Sequence, residues 1–406
     1  MPRFLFVAIQ TNWFNESAIG RLTDNNTYLV MKRVLLVSSG NPRDKRQWSG
    51  IEYSIYQQLM KYYDLDVLTV KVKWGMLLDK LRMRATTFGR RHHGFGLLNS
   101  YLCSKRVQRK LNTGAYDAAF VFGCSNTAFI KTSTPIVYFT DATTHVMQGY
   151  YWNYGWLLAK EADFIQGRCL RNNTINLAAS SWALEDMVNY FEVSRQKCML
   201  CQFGANVEID NTIPTSKGKG KDINILFVGA EWERKGGDIA IDTLRRLKEM
   251  DKDRHFKLHM VGKKPEKDIS EKDVTHYGFL NRNIPEQEAL HTKLFKESDI
   301  FLLPTKAECA GIVFCEASAY GIPCVTYDTG GIADYVMNGV NGFRLAPGAS
   351  GKEFAETILN ILNTPSLKDK LSEGGKKLYK DSLNWDACGK TISSVIERLT
   401  EKSIAS

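Results

Sequence analysis

Met31-Lys32-Arg33-Val34-Leu35-Leu36-Val37-Ser38-Ser39-Gly40 sets an apolar run between a basic start and a small-residue end. Such a run reads as a parallel strand buried on both faces that empties into a loop. A periodic stretch from Gly50 to Tyr63 suits a helix, and Asp66-Val67-Leu68-Thr69-Val70 returns as a strand. Strand, helix, strand is the unit of a doubly wound sheet. Working outward, Tyr116–Gly123, Pro135–Thr140 and Ile175–Ser181 repeat the strand signal, and the last runs into a helix through Tyr190. The polar, glycine-rich Thr215-Ser216-Lys217-Gly218-Lys219-Gly220-Lys221 then reads as a linker. Beyond it the alternation starts afresh with strands at Ile223–Gly229, Phe256–Gly262, Asp299–Pro304, Pro323–Tyr327 and Gly342–Leu345, and a helix at Asp238–Met250. Two α/β domains of similar design are expected, with a cleft between the carboxyl ends of their sheets, where ligands bind in such folds.

The composition agrees. A chain of 406 residues with 44% hydrophobic and 24% charged residues suits two cores rather than one. No apolar run approaches the roughly 18 residues of a membrane span. The apolar opening is too short for a secretory signal. Residues 1–30 lack the regular alternation and read as an extension of doubtful order, with Met31 an alternative start. Nine cysteines, an odd number, suit reduced thiols and a cytoplasmic setting.

The net charge is +10, and residues 71–110 alone carry 11 Lys/Arg against one acid, Asp79. That density attracts nucleic acid, an anionic membrane or an anionic substrate. Within it Trp74, Leu77, Leu78 and Leu81 recur at helical spacing, flanked by Lys73, Lys80, Arg82 and Arg84. Two readings stay open: an interfacial amphipathic helix on anionic lipid, or a core-facing helix with a solvated basic face. Nucleic acid is disfavoured, since no basic motif interleaved with stacking aromatics is present.

Three strand-loop-helix segments carry candidate chemistry. In Pro304–Pro323 a strand ends, a loop holds Glu308 and Gly311, and a helix carries Glu316. Free amides at Gly311, Ile312 and Val313 suit an anion at a helix start. The plainer alternative makes Glu308 a capping acid and Glu316 a solvent-facing one. In Val228–Asp238 a loop presents Arg234 and Lys235 before two glycines, which suits a diphosphate clamp or a plain surface turn. Asp328–Asp334 places paired glycines after a strand.

Glu308-x7-Glu316, running into Ala317-Ser318-Ala319-Tyr320-Gly321-Ile322-Pro323, resembles the donor-site signature of retaining family-4 glycosyltransferases. Arg234-Lys235-Gly236 resembles that family's phosphate loop, and Phe203-Gly204-Ala205-Asn206-Val207-Glu208 and Gly330-Gly331 resemble further family segments. Gln47-Trp48-Ser49-Gly50, Thr140-Asp141-Ala142-Thr143 and Ala179-Ser180-Ser181-Trp182 are similar to segments of the amino half. The resemblance implies the GT-B fold, two Rossmann-like α/β domains facing a central cleft. Its boundaries here would be an acceptor domain at 31–210, a nucleotide-sugar domain at 211–384, and a helix at 385–406 returning to the first.

By the same resemblance Arg234 and Lys235 neutralise the departing diphosphate, Glu308 holds the transferred sugar and Asp141 lies near it. Gly50, Gly204, Asn206, Gly311, Ile312, Val313 and Glu316 would bind the donor, Glu316 through its ribose. The reaction implied is sugar transfer from a nucleotide-diphospho-sugar to a glycan or lipid-linked acceptor with retention, in cell-surface polysaccharide or glycolipid synthesis. No cofactor and no metal are implied. On the interfacial reading of the basic stretch, an anionic membrane is the partner of residues 71–110 and the protein is peripheral to the inner face of the membrane, in the cytoplasm. Ala230, Glu308-Cys309-Ala310-Gly311 and Asp334 depart from the usual Arg, Glu-Gly-Phe-Gly and Glu, which leaves the sugar open. An epimerase or sugar phosphorylase on the same fold, or a non-catalytic subunit, are the competing functions.

Overall fold

A computed structural model describes residues 21–22, 28–29, 31–86, 96–153, 155–207, 209, 220–264 and 271–402. Most of the expected extension at 1–30 and of the linker at 215–221, and residues 87–95 of the basic segment, lie outside these. Two short strands, β1 (Arg21–Leu22) and β2 (Tyr28–Leu29), pair antiparallel ahead of the first sheet.

The first sheet is built from β3 (Arg33–Ser38), β4 (Asp64–Thr69), β5 (Ala118–Phe122), β6 (Ile136–Thr140), β7 (Ile175–Ala178) and β8 (Cys198–Leu200). All six are parallel, in the order β4-β3-β5-β6-β7-β8. The second comprises β9 (Asp222–Val228), β10 (His255–Val261), β11 (Val274–Gly278), β12 (Ile300–Leu303), β13 (Cys324–Tyr327) and β14 (Gly342–Leu345). It is also parallel, in the order β11-β10-β9-β12-β13-β14. The opening stretch thus forms the strand where the winding of the first sheet reverses, between β4 and β5, and β9 holds the same place in the second. Val34 to Ser38 are buried on both faces, as a strand covered by helices on each side must be.

Helices α1 (Ile51–Tyr62), α2 (Lys73–Thr86), α3 (Leu97–Thr113), α4 (Thr144–Met147), α5 (Trp156–Asn172) and α6 (Ser181–Asn189) cover the first sheet. Around the second lie α7 (Trp232–Lys235), α8 (Gly237–Met250), α9 (Pro285–Glu297), α10 (Ile312–Ala319), α11 (Gly351–Asn363) and α12 (Pro365–Asp381), and the chain ends in α13 (Trp385–Lys402). Their boundaries follow local chemistry. Pro285 and Pro365 open α9 and α12 in the first turn, where no N–H is needed. Ser350 and Glu353 close a capping box on α11. In α8, Ala240, Ile241, Leu244 and Leu247 form one buried stripe.

Within the two six-stranded sheets, two strands escaped the sequence reading. β8 has three residues, and β11 is an edge strand of part-exposed residues without an apolar run. All nine cysteines are unbridged and buried. The last helix, α13, lies on α1. Gln58 and Lys61 bond Asp386 at 2.9 and 2.6 Å, and the Tyr63 hydroxyl donates to the Ser393 carbonyl at 3.2 Å.

Candidate functional site

On the side of the second sheet, Val228 ends β9 and the chain turns through Gly229-Ala230-Glu231 into α7, which displays Arg234 and Lys235. Gly236 then turns left-handed at φ 76°. A β-carbon there would lie 2.0 Å from the Pro304 carbonyl oxygen, so the glycine seats this loop on the end of β12. The Lys306 amide donates to the Arg234 carbonyl at 2.7 Å and joins the loop to the segment carrying Glu308. Lys235, 9% exposed, forms an ion pair with Glu308. Arg234 donates to the Ala307 carbonyl at 2.9 Å, to Glu231 at 2.8 Å and to the Tyr151 hydroxyl at 2.7 Å, and lies over the Tyr151 ring at 4.6 Å. Burial opposes its charge, but Glu231, Tyr151 and Glu308 more than offset that, so it stays a cation. Its Nε is buried with no hydrogen-bond partner.

Gly311, at φ 116°, starts α10, whose first-turn amides at Ile312 and Val313 lie at the same end of the second sheet. Glu316, one turn on, is 2% exposed, so it is not the solvent-facing helix acid of the plainer reading. It accepts from Arg282 Nη1 at 2.8 Å, and His291 Nε2 lies 3.9 Å away. Arg282 also grips Glu288 at 2.6 and 2.7 Å and donates to the Asn206 carbonyl. Burial works against charge on Arg282, yet Glu288 and Glu316 raise its pKa overall. Burial pushes His291 down, towards the neutral ring.

On the side of the first sheet, a cavity of about 260 Å³ opens at the ends of β3, β5 and β6, where the winding reverses. Trp48, Phe122, Phe139 and Trp152 give it aromatic walls, and Glu52, Asp141 and Thr143 supply polar atoms. Ser38 Oγ donates to the buried Glu52 carboxyl at 2.7 Å, and burial raises that carboxyl's pKa. Trp48 Nε1 donates to Asp141 at 3.3 Å. Burial pushes the Asp141 carboxyl up to about 6 despite that bond, and the charge of Glu308 adds to the rise. Trp48, Ser49 and Gly50 are three consecutive left-handed residues, at φ 43°, 53° and 84°. Such a run in non-glycine residues is costly and needs outside support. Asn206 supplies part of it, donating to the Ser49 carbonyl at 2.7 Å and accepting from Ser54 at 3.1 Å and Trp385 Nε1 at 2.9 Å.

The two sides touch. Glu308 N–H donates to the Tyr150 hydroxyl at 2.9 Å, and that hydroxyl bonds Thr329 at 2.8 Å. Asp334 accepts from the Ser181 amide at 2.7 Å and hydroxyl at 2.8 Å, capping α6 from the other domain. The Tyr335 hydroxyl donates to the Ala179 carbonyl at 2.6 Å.

Of the residues picked from sequence, the structure gathers Arg234, Lys235 and Glu308 in one cluster, and the Glu308 charge reaches Asp141 across the cleft. Glu316 lies in a second, ion-paired cluster with Arg282. Gly204 packs beneath α13, with room for a β-carbon blocked by Trp385 N at 2.2 Å, and Asn206 braces the Gly50 loop. Sequence reasoning missed Arg282, Glu52, Tyr150 and Tyr151. The aromatic run Tyr150-Tyr151-Trp152 was the available signal for the last two; Arg282, in Asn281-Arg282-Asn283, offered none. Chemically, the cluster offers an anion two cations and free helix amides, with carboxylates beside them for hydroxyl groups.

Residues 209–378 match the family described as glycosyl transferases group 1. An uncharacterized glycosyltransferase of Methanocaldococcus jannaschii is 30% identical over 179 residues, covering 43% of this chain and 48% of that protein. A capsular polysaccharide biosynthesis glycosyltransferase of Staphylococcus aureus is 27% identical over 184 residues, covering 44% and 47%. The matched stretches span about half the length of these curated relatives. The solved structure of Anabaena HepE in complex with UDP and glucose superposes with a TM-score of 0.59 at 17% identity, covering 90% of this chain and 99% of that one. Residues 209–378 are thus similar to the glycosyl transferases group 1, and the chain as a whole has the GT-B fold.

Proposed function

We propose that the protein transfers a sugar from a nucleotide-diphospho-sugar to a glycan or lipid-linked acceptor with retention of configuration. The observation that carries this reading is the Arg234, Lys235 and Glu308 cluster facing Asp141 and the aromatic cavity across the cleft. The diphosphate lies against Arg234, Lys235 and the amides of Ile312 and Val313. Charge builds on the leaving phosphate as the bond to the anomeric carbon breaks, and fixed cations stabilise it without reorganisation. The acceptor hydroxyl oxygen bonds to that carbon from the same face, and its proton passes to the departing phosphate oxygen. Glu308, freed from Lys235 as the phosphate takes the lysine, holds sugar hydroxyls. Glu316 trades part of its Arg282 pairing for the ribose.

The acceptor lies in the cavity at the ends of β3, β5 and β6, with Glu52 and Asp141 meeting its hydroxyls. Relatedness to a capsular polysaccharide glycosyltransferase supports a role in cell-surface polysaccharide or glycolipid synthesis. The setting proposed is the cytoplasm, at the inner face of the membrane. Among the described residues no helix is long and apolar enough to cross a membrane.

A thermal-shift panel of UDP-, GDP-, ADP- and dTDP-sugars tests the donor, because a bound ligand raises the melting temperature by mass action. One nucleotide sugar is expected to stand out. The product's anomeric proton coupling then reads the stereochemistry. No shift with any of the four, or an inverted product, would sink the reading.

A further inference from the structure

The apolar stripe of α2 points outward. Trp74 is 76% exposed, and Leu77, Leu78 and Leu81, on the same arc, are about half exposed. A core-facing helix would bury these residues and show its cations; here none of the four is buried. Two neighbouring helices continue the surface. Leu98 and Tyr101 of α3 are exposed, and so are Leu157 and Trp156 of α5, the latter at 70%.

Two buried acids bind the three helices into one face. Asp79 of α2 accepts from the Asn99 amide at the start of α3 at 2.7 Å. Glu161 of α5 accepts from the Leu97 amide at 2.9 Å and pairs with Arg82 of α2. Cations edge the aromatics. Lys105 lies 5.6 Å over Tyr101, Lys160 4.3 Å over Trp156, and Arg168 5.8 Å over Phe164.

We propose that this face of α2, α3 and α5 docks on the surface of an anionic lipid bilayer. Contiguous exposed apolar area rimmed by charge marks an interaction surface. Charge selects the occupant. Residues 71–110 hold 11 Lys/Arg, and their one acid, Asp79, is 4% exposed and spent inside the helix cluster. A second copy would bring like charges together, whereas a leaflet of anionic headgroups is complementary. Trp and Tyr beside Lys and Arg is also the composition that settles at a headgroup boundary.

The face adjoins the cavity. Trp152 lines the cavity four residues before Trp156, and Gln166 of α5 lines it from the same helix that carries Trp156 and Leu157. A lipid-linked acceptor held in the bilayer therefore meets the cavity at the rim of the docking face. This last step rests on the proposed transfer; the docking itself does not.

Co-sedimentation of the full chain, without donor or acceptor, with vesicles of phosphatidylcholine alone or mixed with phosphatidylglycerol tests the docking. The wild type is expected to favour the mixed vesicles by at least about tenfold, less so at high salt. The triple variant Trp74→Ser, Leu78→Ser, Trp156→Ser is expected to lose about 10–100-fold in binding with its circular dichroism unchanged. Brominated acyl chains in the mixed vesicles should quench wild-type tryptophan fluorescence, a readout that needs no variant. Docking is overturned by absence of that quenching, by equal binding to both vesicle types, by full binding of a folded triple variant, or by a dimer in sedimentation velocity that the triple variant abolishes. Vesicle binding without sugar transfer would leave the docking intact and remove the proposed function instead.

Discussion

The two halves of this molecule share an architecture and divide the chemistry. The second sheet presents charge: Arg234, Lys235, Glu308, Arg282 and Glu316 are all ion-paired at the carboxyl ends of its strands. The first sheet presents an aromatic-walled cavity in which few groups are charged, and its excess of cations lies in residues 71–110 rather than in the cavity lining. A phosphate site needs opposite charge at close, fixed spacing, which one strand, loop and helix can supply from neighbouring residues. A cavity for a sugar-like or lipid-linked acceptor needs shape, which the ends of three strands supply together.

Arg282 tests the seam between the halves and carries the largest expected effect. It joins Glu316 and Glu288 of one domain to the Asn206 carbonyl of the other. Arg282→Leu strands the buried Glu316 carboxylate, and the loss should be about 3 kcal/mol of folding stability in chemical denaturation. Adding Glu316→Leu should recover part of that, because no unpaired buried charge then remains. A single variant as stable as the wild type would show that the halves are not held through this residue.

Lys235→Ala tests the charged half alone. It removes a charge-assisted contact to the proposed diphosphate and leaves Glu308 without its cation. Donor kcat/KM is expected to fall roughly 10–100-fold, the equivalent of about 1.5–3 kcal/mol. Unchanged donor turnover would take Lys235 out of the site.

The contrast between the halves also explains what the sequence could tell. Arg234, Lys235 and Glu308 were legible because each sits a few residues past a strand end, where pattern and chemistry coincide, and Glu316 because it follows Glu308 at the spacing of a known motif. Nine of the twelve long-sheet strands were read within a residue or two, because parallel strands buried on both faces leave unbroken apolar runs. Arg282 was not legible, since its partner Glu316 lies 34 residues away with no local signal. Glu52 looks like any acid in a helix start until the fold turns it beneath Ser38. The α2 stripe was visible, but the same spacing serves a core or a bilayer, and the side it faces is set by tertiary packing through Asp79 and Glu161.

Asp141 tests the cavity half, with a smaller effect. Its carboxyl titrates near 6 in the folded protein against an ordinary 3.8. Between those values the folded chain holds a proton that the unfolded chain has released, so stability falls as pH rises through that window. Above about pH 6 the penalty is complete; below about pH 4 it is absent. Asp141→Asn should therefore be more stable than the wild type at neutral pH, by about 1–3 kcal/mol in chemical denaturation, and match it in acid. A gain that is the same at both pH values would assign the effect to packing rather than to the proton.

The smallest expected effect is none at all, and it bears on where the charge for catalysis comes from. A departing diphosphate must be met by positive charge, and the charged half offers two guanidinium or ammonium groups and the amides that begin α10. Those groups are already fixed, by Glu231, Glu308, Ala307 and Tyr151, which is the ground for expecting transfer without a metal ion. Turnover after EDTA treatment and desalting should equal that of the untreated protein. Activity lost to EDTA and restored by magnesium or manganese would mean that Arg234 and Lys235 do not carry the diphosphate alone, and that the charged half is less self-sufficient than its ion pairs imply.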